Sequence, residues 1–93
     1  MAVRVVALGA WLLSRGASMN MLNYLRTHKD EKVFMCSWGT DIVVYTDTPK
    51  GVQGCYYPVN FILEKAKSEN KNIIVKCYST NMSVVIDKNI MTV

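Results

Sequence analysis

The chain has 93 residues, of which 51% are hydrophobic and 19% charged, and its formal net charge is +4. That length supports a single domain, 1–93, able to bury roughly 60–65% of its unfolded surface. The apolar content excludes a disordered tail, no apolar run is long enough to span a membrane, and two prolines and five glycines exclude collagen-like or linker-like chains.

The charge is unevenly placed. Arg4, Arg15, Arg26 and Lys29 all precede the first acid, Asp30, while residues 30–93 hold seven lysines and seven acids. The whole excess therefore sits in the first third. This distribution fits a weak basic patch and not a strong nucleic-acid clamp.

Cys36, Cys55 and Cys77 are odd in number and form no C-x-x-C pair. They are expected to be reduced, with Cys36 and Cys77 acting as small hydrophobes inside apolar runs. Two features point the other way. Met1 to Ser18, with Arg4 followed by apolar Val5–Leu13, resembles a signal peptide. Asn81-Met82-Ser83 is a glycosylation sequon, although the triplet fits better as a turn.

In chain order, Val3, Val6, Ala7, Ala10 and Leu13 keep helical spacing, which predicts a buried helix over residues 2–13. Residues 19–27 admit two readings. Ser18 can cap a helix using Met21, Leu22 and Leu25, or Met21 to Thr27 can be a strand turning at His28–Glu31. Lys32–Trp38 and Asp41–Thr46 are β-rich runs divided by Gly39-Thr40, with Val33, Met35, Ile42 and Val44 facing the core. Thr48–Gly51 and Gln53-Gly54 are turn chemistry, and Cys55–Tyr57 is a short strand. Val59, Ile62, Leu63 and Ala66 share one face of a helix over Val59–Glu69, with Pro58 at its first position and Asn70 at its stop. Asn72–Ser79 and Met82–Asp87 then form a hairpin around Thr80-Asn81. Ile73, Val75 and Cys77 take one face of its first strand, and Ile74, Lys76 and Tyr78 the other. The order predicts an α+β sandwich with its helices on one face of an antiparallel sheet.

Catalysis is not expected. His28, the one histidine, stands in a polar turn, and nothing pairs it with Cys36 for thiolate chemistry. Asp41 and Asp47 fall on one strand face, as a glycosidase carboxylate pair would, but acids flanking turns are commoner on plain surfaces. No phosphate loop, H-E-x-x-H or EF-hand pattern occurs, and no cofactor or metal is implied. Nucleic-acid binding is better motivated. Lys76 and Tyr78 share the outward face of one strand, and Trp38, Tyr45, Tyr56 and Tyr57 lie in or near its neighbours. Lysines neutralise phosphates and exposed rings stack unpaired bases. The competing reading is that these rings pack under the helices or cover the sheet edge. The candidate nucleic-acid-binding set is Arg26, Lys29, Lys32, Trp38, Lys76 and Tyr78.

The run Leu22–Val33, read as strand, charged turn and strand, and the run Asn72–Met82 are separated by the amphipathic helix Val59–Glu69. Both follow the apolar Val3–Ala10 and a Trp/Ser/Gly stretch. This order is similar to the small domain preceding the ubiquitin-like module and papain-like protease in coronavirus nonstructural protein three, in one subgroup the C-terminal part of the SARS-unique domain. The resemblance spans nearly the whole chain on pattern, spacing and a few identities. It implies a frataxin-like α+β fold with two helices on one face of an antiparallel sheet, and it tips residues 19–27 toward strand. Thr46–Gly54 is longer than the family pattern, which leaves the third strand's register open. No contact residue carries over from the family. Frataxin-type iron binding needs an acidic ridge, and the first 29 residues contain no acid.

The expected function is that of a non-enzymatic domain of a viral replicase polyprotein. It would bind single-stranded RNA weakly, or modulate RNA binding by neighbouring domains of the same polyprotein. It would lie in the host cytoplasm at membrane-associated replication complexes, with no membrane insertion by this segment. The alternative is a protein–protein interaction or spacer module positioning the ubiquitin-like and protease domains. A third reading, a small secreted or host-modulating viral protein, rests on the Asn81 sequon.

Overall fold

The computed structural model describes residues 17–91, so the helix expected over residues 2–13 lies outside the described residues. The elements run α1 (Ala17–Thr27), β1 (Lys32–Trp38), β2 (Asp41–Tyr45), β3 (Cys55–Pro58), α2 (Val59–Glu69), β4 (Asn72–Cys77), β5 (Met82–Ile86) and α3 (Lys88–Met91).

Residues 19–27 are helical, which corrects the strand implied by the family resemblance. Met21, Leu22 and Leu25 are all buried, and a helix puts positions i, i+1 and i+4 on one side. A strand would send Met21 and Leu22 to opposite faces of a sheet. The helix ends where Thr27 Oγ1 and His28 Nδ1 both reach the Tyr24 carbonyl, at 2.9 and 2.7 Å. The His28 ring stacks on Tyr24, with centroids 4.0 Å apart.

The strands form one sheet in the order β3-β1-β2-β4-β5. Neighbours are antiparallel except β2 and β4, which are parallel. The domain is α+β, but its sheet is mixed and not antiparallel throughout as expected. The cause is the position of α2. It carries the chain from the edge strand β3 past β1 and β2 and returns it in the same direction, so β3 and β4 flank the β1–β2 hairpin as a split β-α-β unit.

Helix α2 occupies the predicted span, with Pro58 one position earlier than expected, as N-cap with φ −60 and ψ 142. Its first two N–H groups donate to the Glu31 and Lys29 carbonyls, at 2.8 and 2.9 Å. The charged turn after α1 therefore caps α2, satisfying donors that the helix itself leaves open. Asn70 closes the helix in the left-handed region at φ 56.

The helices cover one face of the sheet. Val33, Met35, Ile42, Val44, Ile73, Val75, Val84 and Ile86 meet Leu22, Leu25, Ile62 and Ala66 there. Each such fully buried aliphatic side chain contributes roughly 1.5–3 kcal/mol. The opposite face carries a second, smaller cluster of Phe34, Cys36, Val43 and Tyr45, packed against Val52 and Ile74. This explains why β1 is buried on both faces in mid-strand and does not simply alternate.

Residues 46–54 fold over that second cluster. The Cys36 thiol donates to the Gln53 carbonyl at 2.9 Å, and the Tyr56 and Thr48 hydroxyls meet at 2.6 Å. Gly54 permits the close approach. A Cβ there would strike the Met35 carbonyl oxygen and lie 2.7 Å from Phe34 Cε1 and 2.9 Å from Cys36 Sγ. The segment that departs from the family pattern in length is thus a cover on the sheet.

Candidate nucleic-acid interface

The uncovered part of the outer face is a shallow groove of about 420 Å³ at the β1–β2 and β4–β5 end of the sheet. Register explains its lining. Trp38 pairs with Asp41, Asp41 lies beside Asn72, and Lys76 pairs with Ser83. Residues of like parity along each strand share this face. Trp38 and Lys76 therefore line one groove, with Val43 and Tyr45 beneath and Ile74 and Val85 at the side. Strand rise and spacing put their Cα atoms about 16 Å apart.

The rings on this face differ in availability. Trp38 is 64% exposed and Tyr78 45%. Tyr45 is buried, and its hydroxyl is pushed to a higher pKa first by burial and then by the neighbouring Cys36, Tyr78 and Asp47. Tyr56, Phe34, Tyr45 and Tyr78 form a row of edge-to-face contacts across the strands, with centroids 5.5, 6.0 and 6.1 Å apart. Tyr57 lies on the helix side, stacked on Phe61 at 4.9 Å. Tyr45 and Tyr57 thus follow the packing alternative, while Trp38 presents an open indole face.

Tyr78 is held at several points. Its hydroxyl donates to the Lys50 carbonyl at 3.1 Å. Its backbone N–H and that of Ser79 donate to the two carboxylate oxygens of Asp47, at 2.8 and 3.0 Å. Burial alone would raise the Asp47 pKa, but these backbone donors outweigh it and hold the carboxyl below its ordinary value. Asp41 accepts a hydrogen bond from the Asn72 side chain at 3.1 Å. Both acids of the suggested carboxylate pair therefore have structural partners.

The six candidate residues do not form one site. Trp38, Lys76 and Tyr78 share the outer face, with Trp38 and Lys76 in the groove. Arg26 and Lys29 lie on the helix side, lining a separate concavity with Lys67. Lys32 is exposed at the start of β1, paired with Pro58, and lines neither. The basic patch expected where Arg26 and Lys29 approach Lys32 and Lys76 is thus divided by the thickness of the sheet. Sequence reading missed Val85 and Asp47 as parts of this surface. Strand parity places Val85 on the outer face, but its 51% exposure depends on β5 being an edge strand.

Cys36 lies on the outer face and His28 caps α1 on the helix side, so no Cys–His pair forms. Burial pushes the Cys36 thiol up, whereas hydrogen bonds from Ser79 and Thr80 pull the Cys77 thiol down. All three cysteines are free. Among the described residues no three His, Cys, Asp or Glu side chains come together as metal ligands, and no helix is long and apolar enough to cross a membrane. Asn81 occupies a left-handed turn position at φ 60, as the turn reading of the sequon requires.

The fold and this surface define a small α+β domain with one covered and one partly open sheet face. Comparison with protein families, with curated proteins and with solved structures finds no match to the chain.

Proposed function

We propose that the chain is a non-catalytic domain that binds single-stranded RNA weakly on the open face of its sheet. The observation that carries this reading is that the largely exposed indole of Trp38 shares one groove with the Lys76 ammonium. A base stacks on the indole, a contact of roughly 1–3 kcal/mol. Lys76 neutralises a phosphate farther along the strand, and Tyr78 offers the exposed part of its ring. The apolar flank of Ile74 and Val85 tolerates any base face, so stacking is not sequence-selective. With Asp41 at the same groove the electrostatic contribution is small, and micromolar or weaker affinity follows.

Titration of an octa-adenylate RNA by two-dimensional NMR at low and high salt tests this. Shifts should centre on β1, β4 and β5, with a log–log salt slope of about −0.7 to −1.4 for one or two phosphates. Trp38→Ala should remove most of the binding. No shifts at low salt would refute the reading.

The replicase setting, a frataxin-like fold and a place at membrane-associated complexes of the host cytoplasm belong to this proposal through the sequence resemblance. The helical α1 and the parallel β2–β4 pair depart from that family's pattern. The interaction or spacer module is favoured by one observation, the contiguity of Trp38, Ile74 and Val85 as an apolar patch. It would show as salt-insensitive binding of a neighbouring domain on the same face.

A further inference from the structure

Between α1, α2 and α3, on the side away from the open sheet face, lies a second concavity of about 300 Å³. Its floor is apolar, formed by Leu22 of α1, Leu63 of α2 and Met91 of α3. Its rim is basic. Arg26 stands one turn after Leu22, Lys67 one turn after Leu63, and Lys29 follows α1 in the charged turn. Each long helix thus delivers an apolar side chain and then a cation four residues on, the spacing that puts both on one stripe.

These cations are not consumed internally. Glu69 takes both Lys65 and Lys71, at 2.7 and 3.1 Å, so those lysines are engaged elsewhere. Among the described residues Arg26, Lys29 and Lys67 form no ion pair, and the one acid at the rim, Glu64, is not bonded to any of them. Among the described residues no aromatic ring lines the concavity, so they offer no platform for stacking a base. Its chemistry is that of a groove for something both anionic and aliphatic.

We infer that this groove docks an acidic amphipathic segment of a partner protein. One Leu- or Met-sized side chain of the partner rests on the half-buried Leu63, above the buried Leu22 and Met91 that close the floor beneath it. Flanking carboxylates meet Arg26, Lys29 and Lys67, and Glu64 repels an acid placed beside α2, which fixes the segment's register. The site is independent of the RNA-binding face, because Trp38 and Lys76 lie across the sheet from it.

The test uses the full chain and a synthetic acetylated ten-residue peptide with one leucine flanked by glutamates. Isotope-edited NMR should show shifts confined to α1, the turn that follows it, α2 and α3, and calorimetry should give an affinity that falls with salt. A double charge reversal, R26E with K67E, changes two exposed side chains and should weaken binding at least tenfold. The same variant should gain binding to a peptide with lysines in place of the glutamates. Replacing the peptide's leucine by serine should also cost at least tenfold, and Trp38→Ala should leave binding unchanged. Absence of shifts with the acidic peptide at low salt, or indifference to charge reversal, overturns the inference. So does tighter occupation of the groove by octa-adenylate, which would make it a phosphate site.

Discussion

Replacing Asp47 by Asn probes what holds the open face in shape. Oδ1 accepts the Tyr78 N–H at 2.8 Å and Oδ2 the Ser79 N–H at 3.0 Å. An Asn side chain keeps one acceptor and turns its NH2 toward the other N–H. One donor then loses its partner, and the remaining bond loses its charge. Hydrogen bonds to charged acceptors contribute roughly 1.5–3 kcal/mol each and neutral ones roughly 0.5–1.5. Tyr78 and Ser79 are exposed, so water replaces part of what is lost, and the expected destabilisation is about 1.5–2.5 kcal/mol. For a domain of this size that lowers Tm by about 6–20 °C. Circular-dichroism melts of D47N and the parent chain from neutral pH to about pH 3 provide the assay. The folded carboxyl titrates below its ordinary value. Its contribution is therefore fully present above about pH 5 and is lost as pH falls through the folded pKa, below about 4. The gap between the two proteins should be widest at neutral pH and narrow on acidification. A D47N Tm within about 2 °C of the parent at neutral pH, or a gap that does not narrow on acidification, would refute the reasoning.

Gly54→Ala drives a methyl into the Met35 carbonyl oxygen and the Phe34 and Cys36 side chains, and should cost about 1–3 kcal/mol in a urea titration. Gly39→Ala meets no neighbouring atom but stands at φ +50, and should cost about 1 kcal/mol from backbone strain alone; a larger loss at Gly39 than at Gly54 would contradict the packing of the 46–54 cover. Under Ellman's reagent, exposed Cys55 should react well before Cys36. Cys36, buried with its thiol pushed up, should react only as fast as that cover opens. Equal rates would show the cover to be open in solution.

Much of the fold was legible residue by residue. The stripe Val59, Ile62, Leu63, Ala66 gave the bounds of α2, and the alternation of Ile73, Val75 and Cys77 against Ile74, Lys76 and Tyr78 gave both faces of β4. Residues 19–27 were harder, because the apolar Met19, Met21, Leu22 and Leu25 do not decide between the two periods, and the burial of both Met21 and Leu22 against β5 and α2 settles them as helix. The direction of β4 was not legible. An antiparallel hairpin partner and a parallel crossover partner ask the same alternation of a strand, and only the route of α2 over the sheet distinguishes them. The same limit applies to the site. Trp38 and Lys76 were singled out one by one, but their shared groove follows from β2 lying between β1 and β4, in parallel register with β4.

The sequence by itself determined the local conformations, the inward and outward side chains of most strands, and the concentration of excess positive charge in the first third. These depend on side-chain periods of 3.6 and 2 and on turn chemistry that acts over a few residues. Only the tertiary structure decided that Arg26 and Lys29 join Lys67 between the helices while Lys76 joins Trp38 across the sheet. Strand order and crossover direction are set by long-range burial, and one layer of sheet is enough to divide what looked like a single basic patch into two surfaces of different chemistry.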